Sequence, residues 1–70
     1  MNNAYTAIIK QDKDWWIGWI EEVPGVNCQE ESREQLLQSL RETLLEALEL
    51  NRKEAISAAG TRYTEEQIAL

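Results

Sequence analysis

Trp15–Ile20 reads WWIGWI, and it sits inside the longer run Asp14–Gly25, DWWIGWIEEVPG. Three tryptophans fall within five residues of a 70-residue chain. In an extended strand, alternate side chains point to opposite faces. Trp15, Ile17 and Trp19 then share one face, and Trp16, Gly18 and Ile20 share the other. Both faces are apolar, whereas an antiparallel sheet with one wet face normally alternates apolar and polar residues.

Upstream, Ala4–Lys10 (AYTAIIK) is rich in β-branched and aromatic residues and predicts a first strand. It repeats the pattern, with Tyr5, Ala7 and Ile9 on one side and Ala4, Thr6 and Ile8 on the other. Gln11–Asp14 (QDKD) between the runs suits a hairpin turn. The second strand is expected over Trp15–Glu22. Pro24, without a backbone donor, and Gly25, free to take positive φ, end it. Val26–Gln29 (VNCQ) predicts a short third strand.

The period then changes. Ser32 with Gln35 forms a capping-box pattern, in which two free backbone donors are satisfied reciprocally. Glu30, Glu31 and Glu34 place negative charge where the helix dipole favours it. Leu36, Leu37, Leu40, Leu44, Ala47 and Leu48 recur at three- and four-residue steps as one apolar stripe. Gln38, Glu42, Glu46 and Glu49 fall opposite. Arg52 and Lys53 suit the C-terminal end, Glu49–Lys53 is a favourable i,i+4 pair, and Gly60 is the expected stop. Thr61–Leu70 fits two readings. Thr64 and Gln67 could cap a short helix, while the alternation around Ile68 and Leu70 suits a closing strand, which the pattern favours. No repeat, linker or low-complexity tract divides the chain, so residues 1–70 form one domain.

One helix covers one face of a small sheet. Gly18 allows close helix approach, so Trp16, Gly18 and Ile20 are expected to face the helix. Trp15, Ile17 and Trp19 are then left outside, and with Tyr5 they form the candidate partner or oligomer interface. Each large aromatic carries about 150–250 Å², so the patch rivals the few hundred Å² that monomers tolerate. A second copy, a different protein, or the C-terminal residues folded across it must cover it.

Composition narrows the function. The net charge is −6, from 13 acidic and 7 basic residues. Such a chain repels phosphate backbones and suits a basic partner. Aromatics on a sheet could stack bases, but the interleaved cations that nucleic-acid binding needs are missing. Cys28 is the only cysteine and histidine is absent, so an internal disulfide and His-based chemistry are excluded. Cys28 reads as a small buried hydrophobe, with no visible source of thiolate activation. Asp12 with Asp14, Glu21 with Glu22, and Glu30 with Glu31 are explained by turns and the helix start. A metal-dependent nuclease would need such carboxylates to converge. No catalytic, cofactor or metal site is expected, and the chain reads as a non-enzyme. No run approaches the ~20 apolar residues of a membrane span. MNNAYTAIIK lacks the basic and apolar segments of a signal peptide, and with one cysteine the expected compartment is the cytoplasm.

The run WWIGWIEEVPGVNCQEESREQLLQSLRETLLEALELNR resembles the HicB-like antitoxin domain over about residues 4–53. Trp16, Gly18, Pro24, Gly25, Ser32 and the leucine stripe match that family's ordered features. The pattern departs where Glu30 replaces a common Gly, and where Gln35-Leu36 replaces a common Glu-Ala. The resemblance implies an α+β fold, a small antiparallel β-β-β-α-β layer of partial ribonuclease H-like type, without catalytic carboxylates. It has one long helix on one face and QIAL as the last strand. It implies homodimers or larger assemblies, and a partner: a small basic HicA-type, mRNA-cleaving toxin whose active surface the antitoxin covers. Ending at Leu70, the chain is expected to lack the family's DNA-binding segment. The competing expectation is an orphan homo-oligomeric structural or adaptor domain.

Overall fold

The computed structural model describes residues 4–70; Met1–Asn3, the start of the stretch judged for a signal segment, lie outside them. The chain is α+β. Three antiparallel strands, β1 (Ala7–Asp12), β2 (Trp15–Ile20) and β3 (Asn27–Glu30), lie in the order β1-β2-β3 and are followed by one helix, α1 (Arg33–Ala59).

The hairpin is tighter than QDKD suggested. Pairing runs to Asp12↔Trp15, which leaves only Lys13 and Asp14 as the connection. Lys13 takes φ 57, the positive backbone angle that two-residue hairpin loops demand. Gln11 and Asp12 are therefore strand residues, and β1 starts at Ala7 rather than Ala4.

At its other end β2 stops at Ile20, before Glu21 and Glu22. The Val26 N–H donates to the Val23 carbonyl at 3.3 Å across Pro24-Gly25, with Gly25 at φ 94. Proline first and a positive-φ glycine second is the type II β-turn arrangement. The Ile20 N–H then donates to the Val26 carbonyl at 3.0 Å and starts the β2–β3 ladder. The Thr6 N–H donates to Glu22 Oε1 at 2.7 Å. Bonds to Thr6, from its side chain first and its backbone second, hold the Glu22 carboxyl below its ordinary value of 4.5.

A depressed folded-state pKa contributes stability that is present above the unfolded value and is lost as pH falls through the folded one. Glu22→Gln should therefore lower the melting temperature slightly near neutrality, with the difference from the parent shrinking as pH falls below about 4.5, so that its decline is flatter. Melts of both proteins from about pH 6 to pH 3 check this; parallel declines would contradict it.

Ser32 caps α1 as expected, with extended backbone and its Oγ accepting from the Gln35 N–H at 3.1 Å. The reciprocal half of the capping box is replaced. The Gln35 side chain accepts from the Ser32 hydroxyl at 3.2 Å instead of reaching the cap backbone. Gly60, at φ 73, ends the helix by donating its N–H to the Ile56 carbonyl at 3.1 Å. Glu49–Lys53 forms at 3.7 Å. Because the helix continues to Ala59, the last turn holds no basic residue. Arg52 and Lys53 are thus too far from the end to gain much from the dipole.

The core lies between α1 and the inner sheet face. Ile20, Val26, Leu36 and Leu40 are buried, and Ala7, Ile9, Trp16, Val23, Cys28, Leu44 and Ala47 pack around them. The helix lies over β2 and β3. Beside β1 this leaves an open apolar groove of about 350 Å³, lined by Tyr5, Ala7, Ile20, Leu37, Leu40 and Leu44, with Arg41.

The expected closing strand does not form: residues 64–70 have no regular structure. Helix length explains this. Twenty-seven residues span about 40 Å at ~1.5 Å each, whereas a six-residue strand spans about 20 Å. Ala47 is the last helix residue against the core, so the chain leaves α1 about 18 Å beyond the sheet. There the tail turns back on the helix itself. Arg52 Nη2 meets Glu65 Oε2 at 3.3 Å, and Tyr63 lines a cleft with Ala55, Ile56 and Ala59. Ile68 stays 81% exposed. The overhang also explains a radius of gyration of 15.2 Å, against about 11 Å for a compact chain of this length.

Candidate functional site

Register decides which side chains share the outer face. Asp12↔Trp15, Lys10↔Ile17 and Ile8↔Trp19 are directly opposed across β1 and β2. Ile17↔Gln29 and Trp19↔Asn27 are opposed across β2 and β3. The face away from α1 therefore carries Trp15, Ile17 and Trp19 along its centre. Ile8, Lys10 and Asp12 flank them on one side, Asn27 and Gln29 on the other.

The inner face carries the alternate set. Gly18 is buried, and a Cβ added there would lie 3.1 Å from Leu40 Cδ1, so the helix approaches closely where glycine stands. Ile20 is buried and Trp16 packs against the core cluster. The expected division of the tryptophans therefore matches the coordinates. Trp15 and Trp19 remain 43% and 41% exposed in the single subunit, which buries neither with its own tail.

Tyr5 does not join them. It lines the groove on the helix side, with Ala7 and Ile20. Ile8, 37% exposed, takes its place beside Trp19. The signal was the hairpin length: a two-residue connection pairs even-numbered β1 residues with odd-numbered β2 residues. A four-residue turn over the same stretch would pair Lys10 with Trp15 and keep the same parity, so the place of Ile8 beside the tryptophans follows from any even-length connection.

The polar groups of the inner face are tied to the helix. Ser39 Oγ donates to Glu30 Oε2 at 2.7 Å, and Cys28 Sγ lies 3.5 Å from Thr43 Oγ1. Both contacts bridge β3 to α1, so these side chains are used in packing. Among the described residues no group of three or more Cys, Asp or Glu side chains converges to hold a metal ion. No helix among them is long and apolar enough to cross a membrane.

Along α1, Glu34, Glu42, Glu46, Glu49 and Glu54 stand with Arg33, Arg41, Arg52 and Lys53, so the helix is nearly neutral and most of the net charge lies on residues 10–31. Glu42, Glu46 and Glu49 are exposed along the solvent side of α1. Within the paired strands the outer face holds one cation, Lys10, and one anion, Asp12, which cancel. Comparison of the chain with protein-family models, with curated proteins and with solved structures finds no match in any of the three.

Proposed function

We propose that this chain is a non-enzymatic protein-binding domain of the HicB-like antitoxin type. It neutralises a small basic HicA-type mRNA-cleaving toxin by covering the toxin's active surface. The observation that carries this reading is the separation of two surfaces on one small body. An apolar sheet face stands uncovered, and a row of exposed carboxylates, Glu42, Glu46 and Glu49, lies on the solvent side of α1 away from it. Carboxylates spread along a helix attract a basic RNA-binding surface and speed its encounter. The β-β-β-α order and the Pro24-Gly25 and Ser32 features agree with the resemblance.

The test is protection. Purified chain should suppress RNA cleavage by a small basic toxin of this type, and suppression should weaken with added salt. Glu42→Lys/Glu46→Lys/Glu49→Lys should weaken it further at low salt. A chain that neither binds nor protects against such a toxin contradicts the antitoxin reading. It leaves the second reading, a homo-oligomeric structural or adaptor domain. That alternative is favoured by the electrically balanced outer face, which like copies can share without repulsion.

A further inference from the structure

We propose that the open edge of β1 takes up an extended peptide segment of another protein as a fourth strand, whose inward side chains fill the groove beside α1. This site is separate from the outer sheet face, and the proposal involves no toxin.

The backbone defines the edge. Opposed residues of an antiparallel pair alternate between those that exchange both hydrogen bonds and those that exchange none. The Glu21 N–H donates to the Thr6 carbonyl at 2.9 Å, one step beyond Ala7↔Ile20 in the register. Even-numbered residues of β1 therefore turn their backbone groups toward β2. Ala7, Ile9 and Gln11 turn theirs the other way, where the order β1-β2-β3 supplies no neighbour. Each presents one donor and one acceptor, and among the described residues nothing bonds to that row. Such a row is a template for a further strand. A docked helix keeps its backbone groups for itself and leaves the row unmet.

The side chains select the strand. The inner side of β3 is already tied to α1, through Glu30 to Ser39 and Cys28 to Thr43. The inner side of β1 opens instead on the groove of about 350 Å³, because α1 lies over β2 and β3. Leu37, Leu40 and Leu44 form its helix wall, and Leu37 is 36% exposed there. A strand laid along β1 sends every second side chain to this side, so apolar residues at alternate positions fit it. Arg41 is the one charged residue of the lining, and it forms no ion pair among the described residues. A carboxylate at one inward position therefore meets it. The chain's net charge of −6 repels a segment with many more acids. Main-chain pairing supplies affinity in this mode of recognition, and the alternate pockets supply specificity.

The test uses the full chain and phage-displayed random peptides of about ten residues, enough to line β1 at ~3.3 Å each. Peptides synthesised from the enriched sequences are then titrated. The enriched sequences should alternate apolar and polar residues and carry an Asp or Glu, which disappears when Arg41→Glu is panned. Gln11→Pro removes an outward N–H without breaking a bond to β2, a change that edge strands accept. It should weaken peptide binding by about fivefold or more. Leu37→Glu places a charge in the groove and should weaken binding by about tenfold or more. Trp15→Ala/Trp19→Ala, on the opposite face, should bind as tightly as the parent. Circular dichroism verifies the fold of each variant. Amide hydrogen exchange reads the edge directly. The Ile9 and Gln11 N–H groups should exchange fast in the free chain and slow several-fold with peptide, while those of Ile8 and Lys10 are protected throughout. No enriched peptide, or enriched peptides with apolar residues at three- and four-residue steps, would overturn the proposal. So would binding that the tryptophan substitutions abolish and Gln11→Pro spares. Slowing of Ile9 and Gln11 on concentrating the chain alone would give the edge to a second copy and overturn it equally.

Discussion

Leu36→Ala is expected to remove between a fifth and all of the stability of the folded chain. Leu36 is 0% exposed and packs with Ile20, Val26 and Leu40, the only other buried hydrophobic side chains described. Truncating a buried leucine costs about 2–5 kcal/mol, because the lost transfer energy is joined by a cavity that neighbours fill only in part. At about 0.05–0.15 kcal/mol per residue, a domain of 70 residues holds roughly 3.5–10 kcal/mol in total. A core this small has no second layer to absorb the loss. Urea titration should place the midpoint far below that of the parent, with a fall in Tm of about 10 °C or more. Leu45→Ala is the matched control, since Leu45 is 56% exposed and should shift stability by less than about 0.5 kcal/mol. Equal effects of the two substitutions would contradict the assigned core.

Gly18→Ala is expected to destabilise although alanine normally suits a strand better than glycine. A Cβ at position 18 would lie 3.0 Å from the Ile8 carbonyl oxygen, 3.0 Å from Ile9 Cγ2 and 3.1 Å from Leu40 Cδ1. The first neighbour is backbone in the β1–β2 ladder and cannot retreat without disturbing the pairing. The third belongs to a leucine only 2% exposed, and moving it disturbs the core. Relief of glycine's entropy favours alanine by about 0.5–1 kcal/mol, and overpacking costs about 1–3 kcal/mol, so the net loss is about 1–2 kcal/mol. Gly18→Val should be worse. Denaturation of both variants checks the order; a neutral Gly18→Val would mean that the helix does not approach the sheet as described.

Much of this architecture was legible in the chain because each signal had one physical source. The change from alternating to three-and-four periodicity at Ser32 located the sheet and the helix, and Gly60 located the helix end. Gly18, among large residues, correctly marked the side on which Leu40 closes down. What was not legible depended on length. Parity was legible: every two- or four-residue connection within QDKD pairs even-numbered β1 residues with odd-numbered β2 residues, which places Ile8 rather than Tyr5 beside the tryptophans. The closing strand followed from local alternation at Ile68 and Leu70. Local pattern carries no knowledge that a 27-residue helix overshoots a sheet half its length and that the tail packs back on the helix end instead. The arrangement of outer-face charges needed the register itself, since Lys10 and Asp12 are not adjacent to the tryptophans in sequence.

The uncovered outer face is the central claim, and the association state of the pure chain tests it most directly. Sedimentation equilibrium should show a mass rising from 8.1 kDa toward twice that value as concentration increases, with tryptophan emission shifting to the blue in step. Trp15→Ala/Trp19→Ala should abolish both changes while keeping the helical circular dichroism signal. A wild-type chain that stays at monomer mass at the highest attainable concentration, its indoles still open to a soluble quencher, would contradict self-association through this face.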